Sequence, residues 1–155
     1  MKEELDAYAA EVRELVKRAK ELEDQERAGY LERVRAASSV FASAKLLFAA
    51  LSQSVPELED SQPDGFADVE MLTLRWKSPE PSRWLQVSLN DRAPADLLLQ
   101  FSMVKGDREH IYGPLYAVDP LEQDILRSAI NALGDQAVWR RGGAWPELPG
   151  QVVTR

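Results

Sequence analysis

The feature that most constrains this chain is a run of apolar residues, spaced alternately three and four positions apart, over its first 55 residues. No proline falls in this stretch, so nothing in it forces a break in a helix. Such spacing places the apolar side chains along one seam of an α-helix, as in a coiled coil. The first part of the seam consists of Leu5, Tyr8, Val12, Leu15, Ala19 and Leu22, and the second of Tyr30, Val34, Ala37, Phe41, Ala44, Phe48, Leu51 and Val55.

The two parts of the seam change phase near Glu26 and Gly29. One interpretation is a single helix of about 50 residues with a four-residue stutter. The other is a helical hairpin that turns at Gly29, where glycine weakens a helix by about 1 kcal/mol. A tight hairpin at one glycine would be short of loop residues, so we favour a helix that is continuous or kinked near Gly29.

The two halves of this helical segment, residues 1–55, differ in charge. Residues 36–51 carry little charge, which predicts burial against the rest of the domain, whereas residues 1–35 are highly charged around a narrow seam. A narrow seam on an exposed helix is typical of a helix that pairs with another helix. We therefore predict an oligomerisation arm and a homodimer; the alternative is an arm that folds back on its own sheet. The predicted dimer contacts are Leu5, Tyr8, Val12, Leu15 and Leu22.

The middle of the chain predicts an antiparallel sheet. Residues 56–65, which contain Pro56, Pro63 and Gly65, are predicted to be an acidic linker. Four runs with alternating apolar residues follow, and the connections between them are too short for helical crossovers, which predicts a four-stranded meander with one buried face. The runs cover 66–77, 83–90, 96–105 and 108–118. The face opposite the buried one is predicted to carry Trp84, Gln86, Leu98 and Gln100, unless a helix covers it.

The C-terminal part predicts a capped helix over residues 119–134. Asp119 is expected to be the N-cap, with Pro120 at the first helical position, Glu122 closing a capping box, and Gly134 as the stop. We predict a short edge strand over 137–139 and an extended tail over 144–155. The fold class is therefore α+β, and the sheet and helix of residues 66–143 form one globular unit with the remaining segments.

Charge is concentrated in one place. The formal net charge is −7, and all six acidic residues of 36–70 fall between Glu57 and Glu70. One interpretation is a solvated acidic loop. The other is a docking surface for a basic protein, because clustered charge speeds encounter with its opposite. The candidate docking residues there are Glu57, Glu59, Asp60 and Asp64.

No motif predicts chemistry. The chain has no cysteine and only one histidine, His110, and it lacks a glycine-rich phosphate loop and a Gly-x-Ser-x-Gly element. We therefore predict no catalytic, cofactor or metal site. The start of the chain does not resemble a secretory signal, and its apolar runs are too short to span a bilayer, which favours a cytoplasmic protein without a membrane partner.

These observations favour a non-catalytic protein–protein interaction module, either a homodimeric adaptor or a regulatory inhibitor of the immunity type. The partner surface would be the Trp84, Gln86 and Leu98 face or the acidic residues. An alternative is nucleic-acid binding through arginine–tryptophan pairs, which requires these residues to meet on one surface. Its candidates are Arg83, Trp84, Arg140 and Arg141. A third interpretation is a small enzyme with an unrecognised site.

Overall fold

The computed structural model describes residues 1–61, 71–106, 109–122, 124–141 and 144–153. It is an α+β fold with a long N-terminal helix, an antiparallel sheet and short C-terminal helices. The elements in chain order are α1 (Lys2–Ser54), β1 (Leu58–Ser61), β2 (Met71–Trp76), β3 (Arg83–Leu89), β4 (Leu97–Lys105), β5 (Glu109–Val118), α2 (Ile125–Leu133), α3 (Gln136–Arg140) and β6 (Gln151–Val152).

The chain divides into two compact units, Met1–Glu32 and Arg33–Arg155. The boundary falls within α1, which is one helix of 53 residues. The hairpin that would turn at Gly29 therefore does not form, and the prediction of a long N-terminal helix is confirmed. Gly29 has no neighbouring atom within 4 Å of the position a Cβ would take.

The sheet has six strands in the order β1-β2-β3-β4-β5-β6, and every neighbouring pair is antiparallel. The antiparallel meander is thus confirmed, but the prediction of four strands is wrong. The two additional strands are the four-residue β1 and the two-residue β6. β1 lies inside the segment predicted as a linker and pairs with β2, while β6 lies in the predicted tail and pairs with β5.

The core of Arg33–Arg155 lies between one face of the sheet and the helices. The strands contribute alternating apolar side chains that are buried, such as Leu74, Leu85 and Leu99. The second half of α1 contributes Ala37, Ala44 and Phe48, and α2 contributes Ile125, Ala129 and Leu133. This alternation means that the other face of the same strands is directed away from this core.

The second half of α1 is also apolar by composition. Among the described residues, α1 is the one helix whose length and apolar content meet the criterion for a membrane span, with a mean hydropathy of 1.4 over 18 residues, 22% of them buried. Core helices of globular domains meet the same criterion. Phe48 of this helix is fully buried in the core of Arg33–Arg155.

The C-terminal helix begins later than predicted. Asp119 does act on the local backbone, because its Oδ1 accepts a hydrogen bond from the Leu121 N–H at 3.0 Å and its carbonyl accepts one from Glu122 at 3.0 Å. These bonds close a single turn, however, and α2 starts at Ile125 after Asp124 adopts a left-handed backbone with φ of 59°. The predicted helix start at Asp119 is therefore wrong by about one and a half turns.

The predicted edge strand over 137–139 is also wrong, because these residues lie in α3. The helical turn buries Trp139, which packs edge-on against Phe101 with a ring-centroid distance of 5.6 Å. Trp145 of the tail packs edge-on against Trp139 in turn, at 5.8 Å. Tertiary packing of large aromatic rings therefore decides the conformation of a segment too short to carry its own periodicity.

Arg83 is a charged residue that is fully buried in this core. Its Nε donates a hydrogen bond to the carbonyl of Leu133, at the end of α2, over 2.7 Å. Its Nη1 donates to the Pro81 carbonyl and to the Gln136 side-chain oxygen, both over 3.0 Å, and more weakly to the Pro79 carbonyl over 3.3 Å. One guanidinium thus joins β3, the loop before it and the two C-terminal helices.

Two tryptophan rings flank the Arg83 guanidinium, Trp76 at 4.6 Å and Trp139 at 5.3 Å from ring centroid to Cζ. Burial lowers the pKa of Arg83 from its ordinary value to about 10, and the nearby Asp135 carboxylate opposes this shift. The group is therefore charged at neutral pH, and the aromatic faces and carbonyl oxygens offset its desolvation.

Candidate interaction surfaces

The first candidate surface is the N-terminal seam, defined as Leu5, Tyr8, Val12, Leu15, Ala19 and Leu22 of α1. Every residue of 1–32 is exposed except the half-buried Ala9. The five large apolar side chains of the seam are between 39% and 65% exposed. Within Met1–Glu32, a single helix offers an apolar stripe of this length no packing partner.

The other side of this helical segment is charged or polar for most of its length. Leu31 is an exception and is 47% exposed, but it lies outside the three-four spacing of the seam. At about 100° per residue, Leu31 is more than 90° around the helix from Leu15. The two leucines therefore belong to different faces of one exposed helix.

The second candidate surface is the outer sheet face, which is the side of the sheet directed away from the core. Its residues follow from the strand registers, because paired residues of antiparallel strands point to the same side. All of its side chains are half-buried or exposed except those of Thr73 and Ser102. The residues that form this face are Glu59 of β1 and, on β2 to β5, Met71, Thr73, Arg75, Trp84, Gln86, Ser88, Leu98, Gln100, Ser102, Val104, His110, Tyr112, Leu115 and Ala117.

A row of stacked rings crosses this face, formed by Trp84, His110 and Tyr112; we refer to it as the aromatic row. Trp84 stacks on His110 with centroids 4.8 Å apart, and His110 stacks on Tyr112 at 4.7 Å with the planes only 8° apart. Trp84 and Tyr112 both pair in register with Ser102, whose small side chain is buried beneath the row. The serine leaves the space in which rings from β3 and β5 can meet above β4.

A charged pair continues the row on the side of β2. The Arg75 guanidinium lies 5.1 Å from the centroid of the Trp84 ring, and its Nη1 is 3.8 Å from a carboxylate oxygen of Glu59 on β1. The outer sheet face therefore carries an uninterrupted line of polar and aromatic groups from β1 to β5. Tyr112, at the far end, is 55% exposed.

A groove of about 610 Å³ lies beside the aromatic row, and its lining includes Gln86, Gln100 and Tyr112. The groove follows a bulge in β5, where Gly113 and Pro114 interrupt the register opposite Phe101. At this bulge, the Gln100 side chain donates a hydrogen bond to the Gly113 carbonyl over 2.9 Å. The predicted outer-face residue Gln100 thus has a structural role in shaping the groove.

The predicted partner residues of the sheet lie together. Trp84 and Gln86 are on β3, and Leu98 on β4 pairs with Ser88 two residues further along, so all are on the outer sheet face. That they bind a partner stays a prediction.

The predicted acidic surface is divided between two faces. Glu59 pairs with Arg75 and belongs to the outer sheet face, whereas Asp60 pairs with Leu74 and is on the opposite side of β1. Glu57 is exposed immediately before β1. Asp64 lies outside the described residues. Of the acidic set, Glu59 is the residue in contact with the aromatic row through Arg75.

The residues of the nucleic-acid alternative do not meet on one surface. Arg83 is fully buried on the core side of β3, while its neighbour Trp84 is on the outer sheet face. Arg140 and Arg141 are exposed at the end of α3. The condition for that binding mode, a shared arginine–tryptophan surface, is therefore not met by this set.

Sequence reasoning did not identify Arg75, His110 or Tyr112 as surface partners of Trp84. The alternation of Arg75 with buried residues was visible in the sequence of β2. The contact of His110 with Trp84, however, depends on the register of β4 against both neighbouring strands and on the bulge in β5. Ser102 lies between Trp84 and Tyr112 only through the strand registers, so it gave no signal in the sequence itself.

Among the described residues, no group of three or more histidine, aspartate or glutamate side chains could hold a metal ion. No family model matches the chain, and no similar curated protein or solved structure was found. The geometry of the two surfaces is therefore the basis for a functional argument.

Proposed function

We propose that this protein is a non-catalytic interaction module that forms a homodimer through the N-terminal seam and binds another protein through the outer sheet face. The observation that carries the proposal is the exposure of a regular apolar seam on a solvated helix. Isolated helices in water are marginally stable, and helices of this kind gain most of their stability from packing of the apolar stripe. A helix of matching spacing supplies that packing, and a second copy of the chain always provides one.

The seam alternates in spacing between three and four residues and is flanked on one side by Glu4, Glu11 and Arg18, which is typical of coiled-coil contacts. Substituting one of its central residues should therefore separate the copies without affecting the fold of Arg33–Arg155. We expect Leu15→Ser to shift the protein from dimer to monomer, as measured by sedimentation equilibrium over a range of concentrations. The matched control is Leu31→Ser, which changes the same residue type on the other face of the same helix.

The expected result is a dimeric mass for the unmodified chain and for Leu31→Ser, and a monomeric mass for Leu15→Ser. Far-UV circular dichroism of the dissociated variant should show a loss of helix, since residues 1–32 then lose their packing partner. A monomeric unmodified chain at all concentrations would refute the dimer.

The outer sheet face supports a protein partner better than a nucleic acid. Base stacking requires free ring faces, but in the aromatic row the rings stack on one another, and Arg75 also lies over the Trp84 ring. The outer face of Tyr112 is what remains for stacking. Ring edges that border a groove can instead pack against aromatic and basic side chains of a protein. Glu59, at one end of the row, can pair with a basic side chain of that partner.

The experiment for this surface is comparative capture from lysate, with and without nuclease. We expect the unmodified chain and a Leu46→Ser control, substituted at an exposed leucine outside both surfaces, to retain the same partner. Tyr112→Ala should lose it in the presence of nuclease as well as in its absence. A basic toxin or nuclease as that partner would identify the inhibitor variant of the proposal. Equal recovery by all three proteins would contradict the assignment of this face.

The nucleic-acid alternative rests on the exposed ring of Tyr112, which is available to stack one base, and on the positive charge of Arg75 at the other end of the aromatic row. It predicts binding of single-stranded oligonucleotides that weakens with salt and is lost in Tyr112→Ala. Recovery that disappears on nuclease treatment would support this alternative over a protein partner.

A further inference from the structure

We propose that the two copies pair through the N-terminal seam in antiparallel orientation, with Leu5 of one copy facing Leu22 of the other. This inference rests on the proposed homodimer and adds its orientation and register. It follows from the sizes of the seam residues and from the charges on either side of the seam, all of which are exposed in the described helix.

The three-four spacing assigns each seam residue to one of two core positions of the heptad. Antiparallel helices place the first type of position against the second. The first type is occupied by Leu5, Val12 and Ala19, and the second by Tyr8, Leu15 and Leu22. The resulting layers are Leu5 with Leu22, Tyr8 with Ala19, and Val12 with Leu15, and each occurs twice because the pair is two-fold symmetric.

This register matches large residues with small ones. Tyr8, the largest residue of the seam, faces Ala19, the smallest, so the layer has an average volume close to that of Val12 with Leu15. In a parallel pair, each residue would face its own copy, so Tyr8 would face Tyr8 and Ala19 would face Ala19. One layer would then be overfilled and another would contain a void, and both are destabilising.

The charges beside the seam favour the same orientation. In an antiparallel pair, the positions that flank one side of the seam face each other, so Glu11 of one copy lies beside Arg18 of the other, and this pair also occurs twice. On the other side, Ala9 faces Val16, and the two extend the apolar contact. A parallel pair would instead place the charged Glu11 beside the apolar Val16.

The parallel pair would also contain complementary charges, since Arg18 of one copy would lie beside Glu23 of the other. However, its next core layer would bring Glu26 against Glu26 of the second copy, which is repulsive. The antiparallel register places Glu26 at the end of the contact, opposite the start of the second helix. Volume and charge thus agree on one orientation.

Disulfide trapping distinguishes the orientations, because the chain has no cysteine of its own. The experiment uses the full chain with Leu5→Cys, with Leu22→Cys, and as an equimolar mixture of the two variants. In the antiparallel pair, the two copies of position 5 are about 25 Å apart, 17 residues at 1.5 Å rise each, well beyond disulfide reach. Position 5 of one copy and position 22 of the other are adjacent.

We expect covalent dimers in the oxidised mixture and almost none in either variant alone. Covalent dimers in each single variant, with a dimeric mass for the reduced proteins, would overturn the antiparallel orientation and leave the homodimer intact. A monomeric mass for the unmodified chain would instead overturn the homodimer itself, so the two failures are distinguishable.

Charge reversal provides an independent test with a matched control. Glu11→Arg brings two positive charges together twice in the antiparallel pair, so we expect the dimer dissociation constant to rise about tenfold at low salt. Combining it with Arg18→Glu exchanges the two charges and should restore the affinity. The control is Glu4→Arg, at the equivalent flanking position, which faces the neutral Gln25 and should change the affinity less than about twofold. Equal effects of Glu4→Arg and Glu11→Arg would contradict the proposed register.

Discussion

Replacement of Arg83 by methionine should destabilise Arg33–Arg155 by about 3 kcal/mol, because the buried guanidinium joins several elements of the core. Hydrogen bonds from a charged donor contribute about 1.5–3 kcal/mol each, and those to Leu133, Pro81 and Gln136 are all 3.0 Å or shorter. Each tryptophan contact adds about 1 kcal/mol.

The opposing effect is desolvation. Burying a guanidinium costs several kcal/mol, and methionine would remove this cost while filling part of the space. Methionine cannot, however, donate to the carbonyl of Leu133 or to that of Pro81, and leaving buried acceptors without donors costs about 1–3 kcal/mol each. The hydrogen bonds and the tryptophan contacts therefore outweigh the desolvation of arginine, and we expect Arg83→Met to lower the free energy of unfolding by about 3 kcal/mol.

The assay is urea unfolding monitored by tryptophan fluorescence, since Trp76 and Trp139 flank the substituted side chain. The measurement is best made in the Leu15→Ser background, so that dissociation of a dimer does not contribute to the free energy of unfolding. The control is Arg75→Met on the neighbouring strand. Its partner Glu59 is half-exposed and 3.8 Å away, so the expected loss is below about 1 kcal/mol.

The effect of Arg83→Met should not depend on pH between about pH 6 and pH 8. The folded-state pKa of Arg83, about 10, is below its ordinary value, so its contribution to stability changes only above about pH 10, where it increases as pH rises. A variant as stable as the unmodified protein would refute the reasoning, because desolvation would then outweigh the hydrogen bonds.

Three substitutions test the local packing by the same urea assay. Gly113→Ala should cost about 2 kcal/mol, because its Cβ would lie 2.7 and 2.8 Å from ring carbons of Trp145. Gly29→Ala is the matched control and is followed instead by far-UV circular dichroism of the otherwise unmodified chain; it should increase helix stability by about 1 kcal/mol, since nothing lies within 4 Å, and helix loss would contradict the continuous α1. Gln100→Leu removes the donor to the Gly113 carbonyl and should cost about 1 kcal/mol, and no change would mean that water replaces the amide.

The sheet was largely predictable because alternation is a property of each strand alone. The buried side chains of three strands were predicted correctly, because a pleated strand places every second side chain on one side. They include Leu72 and Leu74, Leu85 and Val87, and Leu97 and Leu99. Short connections then left the meander as the simplest topology, and it is confirmed.

The elements that were missed are held by partners rather than by their own sequence. β1, with the sequence LEDS, has no apolar alternation, and it is a strand because it pairs with β2. α3 is five residues long, too short for a helical period, and the burial of Trp139 against the core decides its conformation. The start of α2 was missed because the signals at Asp119 are real but local, and they end in the left-handed Asp124.

The two candidate surfaces also differ in how far the sequence predicted them. The aromatic row depends on contacts between three strands, so the single-strand pattern around Trp84 could identify one of its members but not His110 or Tyr112. Arg75 likewise joins the row through the register of β2 with β3, since Arg75 pairs directly with Trp84. A site assembled across strands can be read from a sequence only after the register is known.

The N-terminal seam is the opposite case, because its spacing was evident in the sequence but what covers it was not. Spacing of three and four recurs in both halves of α1, yet Ala44 and Phe48 are buried in the core while Leu5 and Leu15 are exposed. Periodicity specifies which side chains share a face but not what covers that face. The core of Arg33–Arg155 includes no residue of the seam, so the fold of that unit does not require it. Apolar residues that the fold does not need, kept in register over six positions, are most simply explained by contact with another helix.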